Sequence, residues 1–402
     1  MSIQSAIPSD LPRPTRGAWG AVAALTLCVS TLIASEFMPV SLLTPIASDL
    51  GITEGRAGQA IAISGLFAVL TSLVISSATR KIDRKHVLLA LTGVMILSGL
   101  MVAFAPNSAI FMAGRALVGV VIGGFWSMSA AIVMRLVPVD QVPRALGVLN
   151  GGNALATTIA APLGSFMGQY IGWRGAFFVV VPLAALVLAW QYLSLPAMPS
   201  RGASRTGSVF RVLRRPGVPL GFAAVAMLFT GQFALFTYLR PFLEAITGVS
   251  VSGLSLILLG LGLAGLIGTW LIGRLLPARL AILLIVSPLA LAVIAVGLIA
   301  LGAAALPTAA LLAGWGLVGT AAPVAWWTWI SRTLPDDAEA GGGLMVAVIQ
   351  LAITLGASLG GVLVDARGYH TAFAVSAAIL VGGAILAAFG ARATLAAKGA
   401  LK

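Results

Sequence analysis

Glu36 and Arg115 stand deep inside long apolar runs, where an ionised side chain costs about 3 kcal/mol or more to place in lipid. Residues of these types in such surroundings are candidates for carrying charge. Burial favours the neutral acid, and a nearby guanidinium favours the carboxylate. A Glu36 that alternates between a proton, Arg115 and a cationic or polar substrate would couple proton flow to transport. Substrate recognition without titration and a static ion pair are the other roles open to it. Arg115 keeps its proton at ordinary pH. Its work would be to set the affinity of Glu36, anchor a water or substrate, or hold its own helix.

Amides and rings offer a second chemistry. Gln232 and Phe236 are one helical turn apart, with Arg240 a turn further and Tyr238 between them. Asn153, Trp315 and Gln350 also lie within apolar runs. A flat ring can stack on such aromatics with amides at its polar edge, as planar bases do. Amides inside membranes also serve simply to bond another helix. Trp326, Trp327 and Trp329 lie near the end of their run, a position that suits interfacial anchors.

Other chemistries lack their residues. There is no GxxxxGK[ST] phosphate loop. His86 and His370 are the two histidines, and the topology below puts them near opposite faces, so they share no zinc site and build no hydrolytic triad. No filter-like or charged-ring motif of a channel is visible. The single cysteine, Cys28, excludes an internal disulfide framework. The expectation is a non-enzymatic chain with no cofactor and no metal, and with a proton gradient acting through Glu36 as its energy source.

The elements that position these residues follow from composition. Of 402 residues, 59% are hydrophobic and 9% charged, and the mean hydropathy is +1.07. An ordinary soluble domain has roughly 25% charged residues. The chain therefore reads as an all-α membrane protein with the lipid bilayer as its surroundings. A crossing helix needs about 20 apolar residues. Twelve segments qualify: 18–44, 56–78, 87–105, 108–134, 145–169, 175–195, 218–244, 252–273, 280–304, 308–330, 343–364 and 371–391. The first is too long for a signal-peptide core and reads as a span of the mature protein.

The net charge of +13 comes from basic residues spread thinly between apolar runs, which argues for loops rather than a nucleic-acid surface. With both termini inside, cytoplasmic segments hold 19 of the 24 basic residues. The other face holds Arg56, Arg174, Arg240 and Arg367. That asymmetry predicts cytoplasmic termini.

The spans fall into two halves. A tail at 1–17 precedes a six-helix bundle at 18–195, a basic linker at 196–217, a second bundle at 218–391 and a tail at 392–402. Gly172-Trp173-Arg174-Gly175-Ala176-Phe177 reappears as Gly368-Tyr369-His370-Thr371-Ala372-Phe373 at an offset of 196. Arg135-Leu136-Val137-Pro138-Val139-Asp140 matches Arg332-Thr333-Leu334-Pro335-Asp336-Asp337 at 197. Duplicated halves place a binding site at their interface near the midplane. Gly119/Gly123, Gly147/Gly151, Gly164/Gly168/Gly172 and Gly356/Gly360 are spaced for close helix contact.

These features resemble the major facilitator superfamily. Arg115-Ala116-Leu117-Val118-Gly119 with Gly123 in span four carries the resemblance, as does the basic loop between spans two and three. Ala161-Pro162-Leu163-Gly164 followed by Gly172-Trp173-Arg174 looks like the span-five signature of its drug:proton antiporters. The loop Thr79-Arg80-Lys81-Ile82-Asp83-Arg84-Lys85 keeps the basic end of the family's pattern, with Asp83 in place of Gly and Arg80 near the acidic position. The resemblance implies a gating role for Asp83, Arg84 and Lys85.

A closer resemblance is to bacterial exporters of purine ribonucleosides, through Glu36-Phe37-Met38-Pro39-Val40-Ser41-Leu42-Leu43-Thr44-Pro45, Gly123-Gly124-Phe125-Trp126-Ser127 and Gly231-Gln232-Phe233-Ala234-Leu235-Phe236-Thr237-Tyr238. It implies proton-driven export of inosine or guanosine from a bacterial inner membrane by a monomer. The substrate would lie among spans one, four, seven and ten. Sugar or drug export on the same scaffold, uniport, and a receptor or scaffold role are the alternatives.

Overall fold

Backbone amides in hydrocarbon have no water to bond, so each crossing segment must satisfy them internally. The described residues do so with helices. A computed structural model describes residues 16–138, 141–199, 209–334 and 338–399. The parts of the Arg135–Asp140 and Arg332–Asp337 echoes at 139–140 and 335–337 lie outside these residues, as do 200–208 of the linker.

The first half comprises α1 (Arg16–Leu50), α2 (Glu54–Ala78), α3 (Arg84–Ala103), α4 (Ser108–Leu136), α5 (Val142–Phe178) and α6 (Val180–Ser194). A 3-10 turn at Val209–Arg214 leads to the second half. There α7 (Val218–Phe236), α8 (Leu239–Ala245), α9 (Val251–Leu301), α10 (Ala305–Gly319), α11 (Ala322–Thr333), α12 (Ala338–Arg367) and α13 (Tyr369–Gly399) follow.

Among the described residues, eleven apolar stretches are long enough to cross a membrane, and one of them, Arg144–Ser194, covers two predicted spans. The twelve-span reading therefore stands. Within Arg144–Ser194 the chain turns at Gly172, whose φ is 71°. Helix α9 likewise joins two predicted spans at Arg279, where φ is −129°. Two predicted spans are broken. Span seven is divided at Thr237 and Tyr238, and span ten at Thr320 and Ala321.

The duplication is visible in the backbone. Gly368, at the offset of 196 from Gly172, has φ 79°. A Cβ on Gly119 would strike the carbonyl oxygen of Ser64, and one on Gly316 that of Leu261. Both residues of the second pair stand 197 positions after those of the first. Span four thus presses on span two as span ten presses on span eight. Gly123 approaches the Ala68 carbonyl in the same way, and Gly164 meets Ser41 and Met38 of α1. Gly147 and Gly151 do not behave as their spacing predicted: a Cβ there would meet nothing within 4 Å. Gly152 makes the contact instead, against Thr26 and Ser30 of α1.

Gly119→Val should therefore cost about 3 kcal/mol by forcing α4 away from α2, whereas Gly147→Ala should cost nothing. Thermal melting in detergent compares them, and equal midpoints would dispose of the close-packing account.

Candidate functional site

Helix α1 is interrupted in its hydrogen bonding by Pro39. Proline has no N–H, so the carbonyl four residues earlier, that of Ser35, has no helical donor. Arg115 of α4 supplies one: its Nη1 donates to the Ser35 oxygen at 2.8 Å. Its Nη2 donates to the backbone oxygen of Glu36 at 3.1 Å and to Ser64 Oγ at 3.5 Å, and its Nε to Ala60 O at 3.4 Å. Arg115 is fully buried and Glu36 is 4% exposed. The two residues thus lie at a common level. Their link runs through the main chain, because Pro39 presents a bare carbonyl that a guanidinium satisfies well. The planar fork spans two successive carbonyls, which an ammonium cannot do. Arg115 therefore holds the stretch of α1 that carries Glu36.

Across the seam between the halves, the amide of Gln350 on α12 stands beside the Glu36 carboxyl. Its Nε2 nevertheless makes no fully formed hydrogen bond. Gln232 of α7 donates to Gly319 O at 3.4 Å, leaving its Oε1 without a partner. Trp315 of α10 is 1% exposed, and its indole Nε1 is also without one. Buried polar atoms are ordinarily satisfied, yet α12, α7 and α10 each keep one such atom unmatched, two donors and an acceptor in all. Phe37 and Phe233 face one another across the same seam with ring centroids 6.0 Å apart, and Phe236 lies 6.0 Å beyond Phe233. Gln232 stands 196 residues after Glu36, and Gln350 stands 197 after Asn153. The four are two pairs of positions related by the duplication. One half places a carboxyl where the other places an amide. Asn153, on α5, is partly buried.

Other predicted site residues have different employment. Tyr238 is fully buried, and its hydroxyl donates to Ala357 O at 2.7 Å and Gly55 O at 3.4 Å. It is spent on holding helices together and is not available to a substrate. Asp83 caps α3, accepting from Lys85 N at 2.8 Å, while both its oxygens accept from Met198 N at 3.0 and 2.8 Å. Arg84 donates from its backbone N to Met198 O at 3.1 Å and from Nη1 to Thr79 Oγ1 at 2.7 Å. Lys85 Nζ reaches Tyr192 O at 2.9 Å. The loop expected to gate therefore clamps the start of the linker to the first half. An Asp in place of Gly supplies the acceptor that makes this clamp. Pro162 lies within α5, two residues before the Gly164 contact with α1. Of the tryptophans expected at an interface, Trp327 is 42% exposed, but Trp326 and Trp329 are buried. Gly221 leaves the space that Trp329 fills.

Residues given no site role from the sequence close one face of the seam. Asp365 of α12 accepts from Thr53 Oγ1 at 2.6 Å and from Gly55 N at 3.0 Å. It caps the first turn of α2 from the opposite half. Tyr369 donates to Glu54, and Ser358 Oγ to Gln59 Oε1 at 3.0 Å. The signals were acidic and aromatic residues at span ends, which on their own read as ordinary solvated loops.

The comparisons fit this architecture. The family model described as Major Facilitator Superfamily matches residues 24–345. A Pseudomonas aeruginosa protein named "Transcription regulatory protein OpdE" is 56% identical over 381 residues, 94% of each chain. The Escherichia coli (strain K12) "Purine ribonucleoside efflux pump NepI" is 43% identical over 372 residues, 92% of this chain and 94% of that one. Among solved structures, a bacterial homologue of the human lysosomal transporter Spinster superposes with a TM-score of 0.79 at 16% identity, covering 95% of this chain and 98% of that one. With its family match, duplicated six-span halves and membrane-crossing helices, the chain belongs to the Major Facilitator Superfamily of transporters.

Proposed function

We propose that this transporter exports purine ribonucleosides such as inosine and guanosine in exchange for protons. The observation that carries the reading is the Glu36 carboxyl at the seam, with Gln350 beside it and the unmatched polar atoms of Gln232 and Trp315 on neighbouring helices. A purine offers both donors and acceptors on its edge and an apolar face for rings such as Phe37, Phe233 and Phe236. Glu36 takes a proton when the seam opens to the outside and releases it inside. Its change of charge alters the affinity of the amide-rich half for cargo. The relative named as a purine ribonucleoside efflux pump supports this cargo. The excess of basic residues supports cytoplasmic termini in a bacterial inner membrane.

The test is proton movement in proteoliposomes driven by an inosine or guanosine gradient, beside a panel of drugs and sugars. Inosine and guanosine should move protons, and the panel should not. Proton movement driven only by drugs would replace the cargo, and nucleoside flux indifferent to pH would make the protein a uniporter.

A regulatory reading draws on the 56% identical relative named as a transcription regulator. Export that lowers the internal level of an inducing nucleoside accounts for such a role without a second activity. Gene expression altered equally by a transport-dead variant would separate regulation from export.

A further inference from the structure

Helix α1 contains a second proline, Pro45. It deprives the Ser41 carbonyl of its helical donor, as Pro39 deprives that of Ser35. The two carbonyls are served differently. Ser35 is bonded by Arg115 from within its own half. Ser41 is bonded by Nη1 of Arg240, which comes from α8 in the other half. Arg240 is 6% exposed and Ser41 is fully buried. Glu244, one turn along α8, holds the same guanidinium through Nε at 2.9 Å and Nη2 at 2.8 Å. The break at Thr237 and Tyr238 separates α8 from α7 and so sets the direction from which Arg240 arrives.

We propose that Arg240 is a positioning residue that latches the two halves shut at this face, and that its catch is the carbonyl freed by Pro45. Hydrogen bonds from a charged donor are roughly twice as strong as neutral ones. A buried guanidinium also loses most when one of its acceptors leaves. The partly buried Tyr369–Glu54 and Ser358–Gln59 bonds also join the halves at this face, and two further links are weaker. Asp365 and Thr53 are exposed, where water competes. The Tyr238 bond that crosses the seam is long, at 3.4 Å. The Arg240 contact exists only while the halves meet, so it biases a two-state equilibrium toward closure. Parting leaves Glu244 with Arg240 and gives the Ser41 carbonyl to water. The latch requires that the halves move, whatever the cargo or the coupling ion.

Distance measurement tests it without either. Spin labels at Ser48→Cys and Ala366→Cys, both exposed on opposite halves of this face, report opening in the full chain in nanodiscs, with buried Cys28 left in place. Arg240→Gln should raise the ratio of open to closed distances about tenfold, the effect of one charged hydrogen bond. Pro45→Ala returns an N–H to the Ser41 carbonyl while keeping every charge and adding a helical bond. It should raise the same ratio, and in its background Arg240→Gln should add less than about twofold. An unchanged distribution in either single variant overturns the latch. So does an Arg240→Gln effect of the same size with Pro45→Ala present, since Arg240 would then act through Glu244 or packing alone.

Discussion

Proteoliposomes bearing Glu36→Gln should still exchange labelled for unlabelled inosine, yet show no more substrate-driven pH change than protein-free vesicles. The glutamine keeps the shape of the side chain and its place beside Gln350. It leaves untouched the Ser35 and Glu36 backbone oxygens that Arg115 grips. The one property removed is the ability to take up and give back a proton. A cargo-exchange reaction with no net proton movement needs only the halves to rock. A net export reaction needs the carboxyl to reset. The double outcome separates coupling from damage, because a misfolded protein would lose both activities. Full coupling in the variant would move the proton carrier elsewhere.

Arg115→Ala should lower the thermal midpoint by on the order of 10 °C. The two short bonds to Ser35 and Glu36 come from a charged donor and are worth about 1.5–3 kcal/mol each, and each kcal/mol is roughly 2–4 °C. Four acceptors lose their donor at once, on α1 and α2. The loss is a property of the main chain, so Pro39→Ala should recover part of it by returning a donor to Ser35. Arg115→Lys should recover little, because a single ammonium cannot bridge successive carbonyls. Differential scanning fluorimetry in detergent measures all three. An Arg115→Ala midpoint equal to that of the parent would remove the arginine from its supporting role in α1.

The spans were legible because lipid enforces long apolar runs, and the turn at Gly172 because its motif reappears at Gly368. The breaks at Thr237 and Thr320 were hidden by unbroken hydrophobicity, although Pro241 and Pro323 each stand in the first turn of the piece that follows. That Glu36 and Arg115 lie inside the bundle followed from the apolar runs around them. The guanidinium's choice of main chain over carboxylate did not, since that depends on where a proline strips a carbonyl and which helix lies opposite. Trp326 and Trp329 were misplaced because nearness to a span end says nothing of the hollow that Gly221 provides. Asp83 departs from the family's glycine and turned out to hold the linker, a role visible only once Met198 lies against it.

The two prolines of α1 also bear on how the protein is made. Ser35 waits 80 residues for Arg115, and Ser41 waits 199 for Arg240. A ribosome therefore delivers the opening span well before either guanidinium exists. Until then that span offers bare oxygens to whatever surrounds it, and a greasy surrounding is a poor host for them. Helix α1 is made well before the two arginines that complete it. During synthesis it belongs beside the insertion machinery, where water or protein can keep those oxygens company until their arginines arrive.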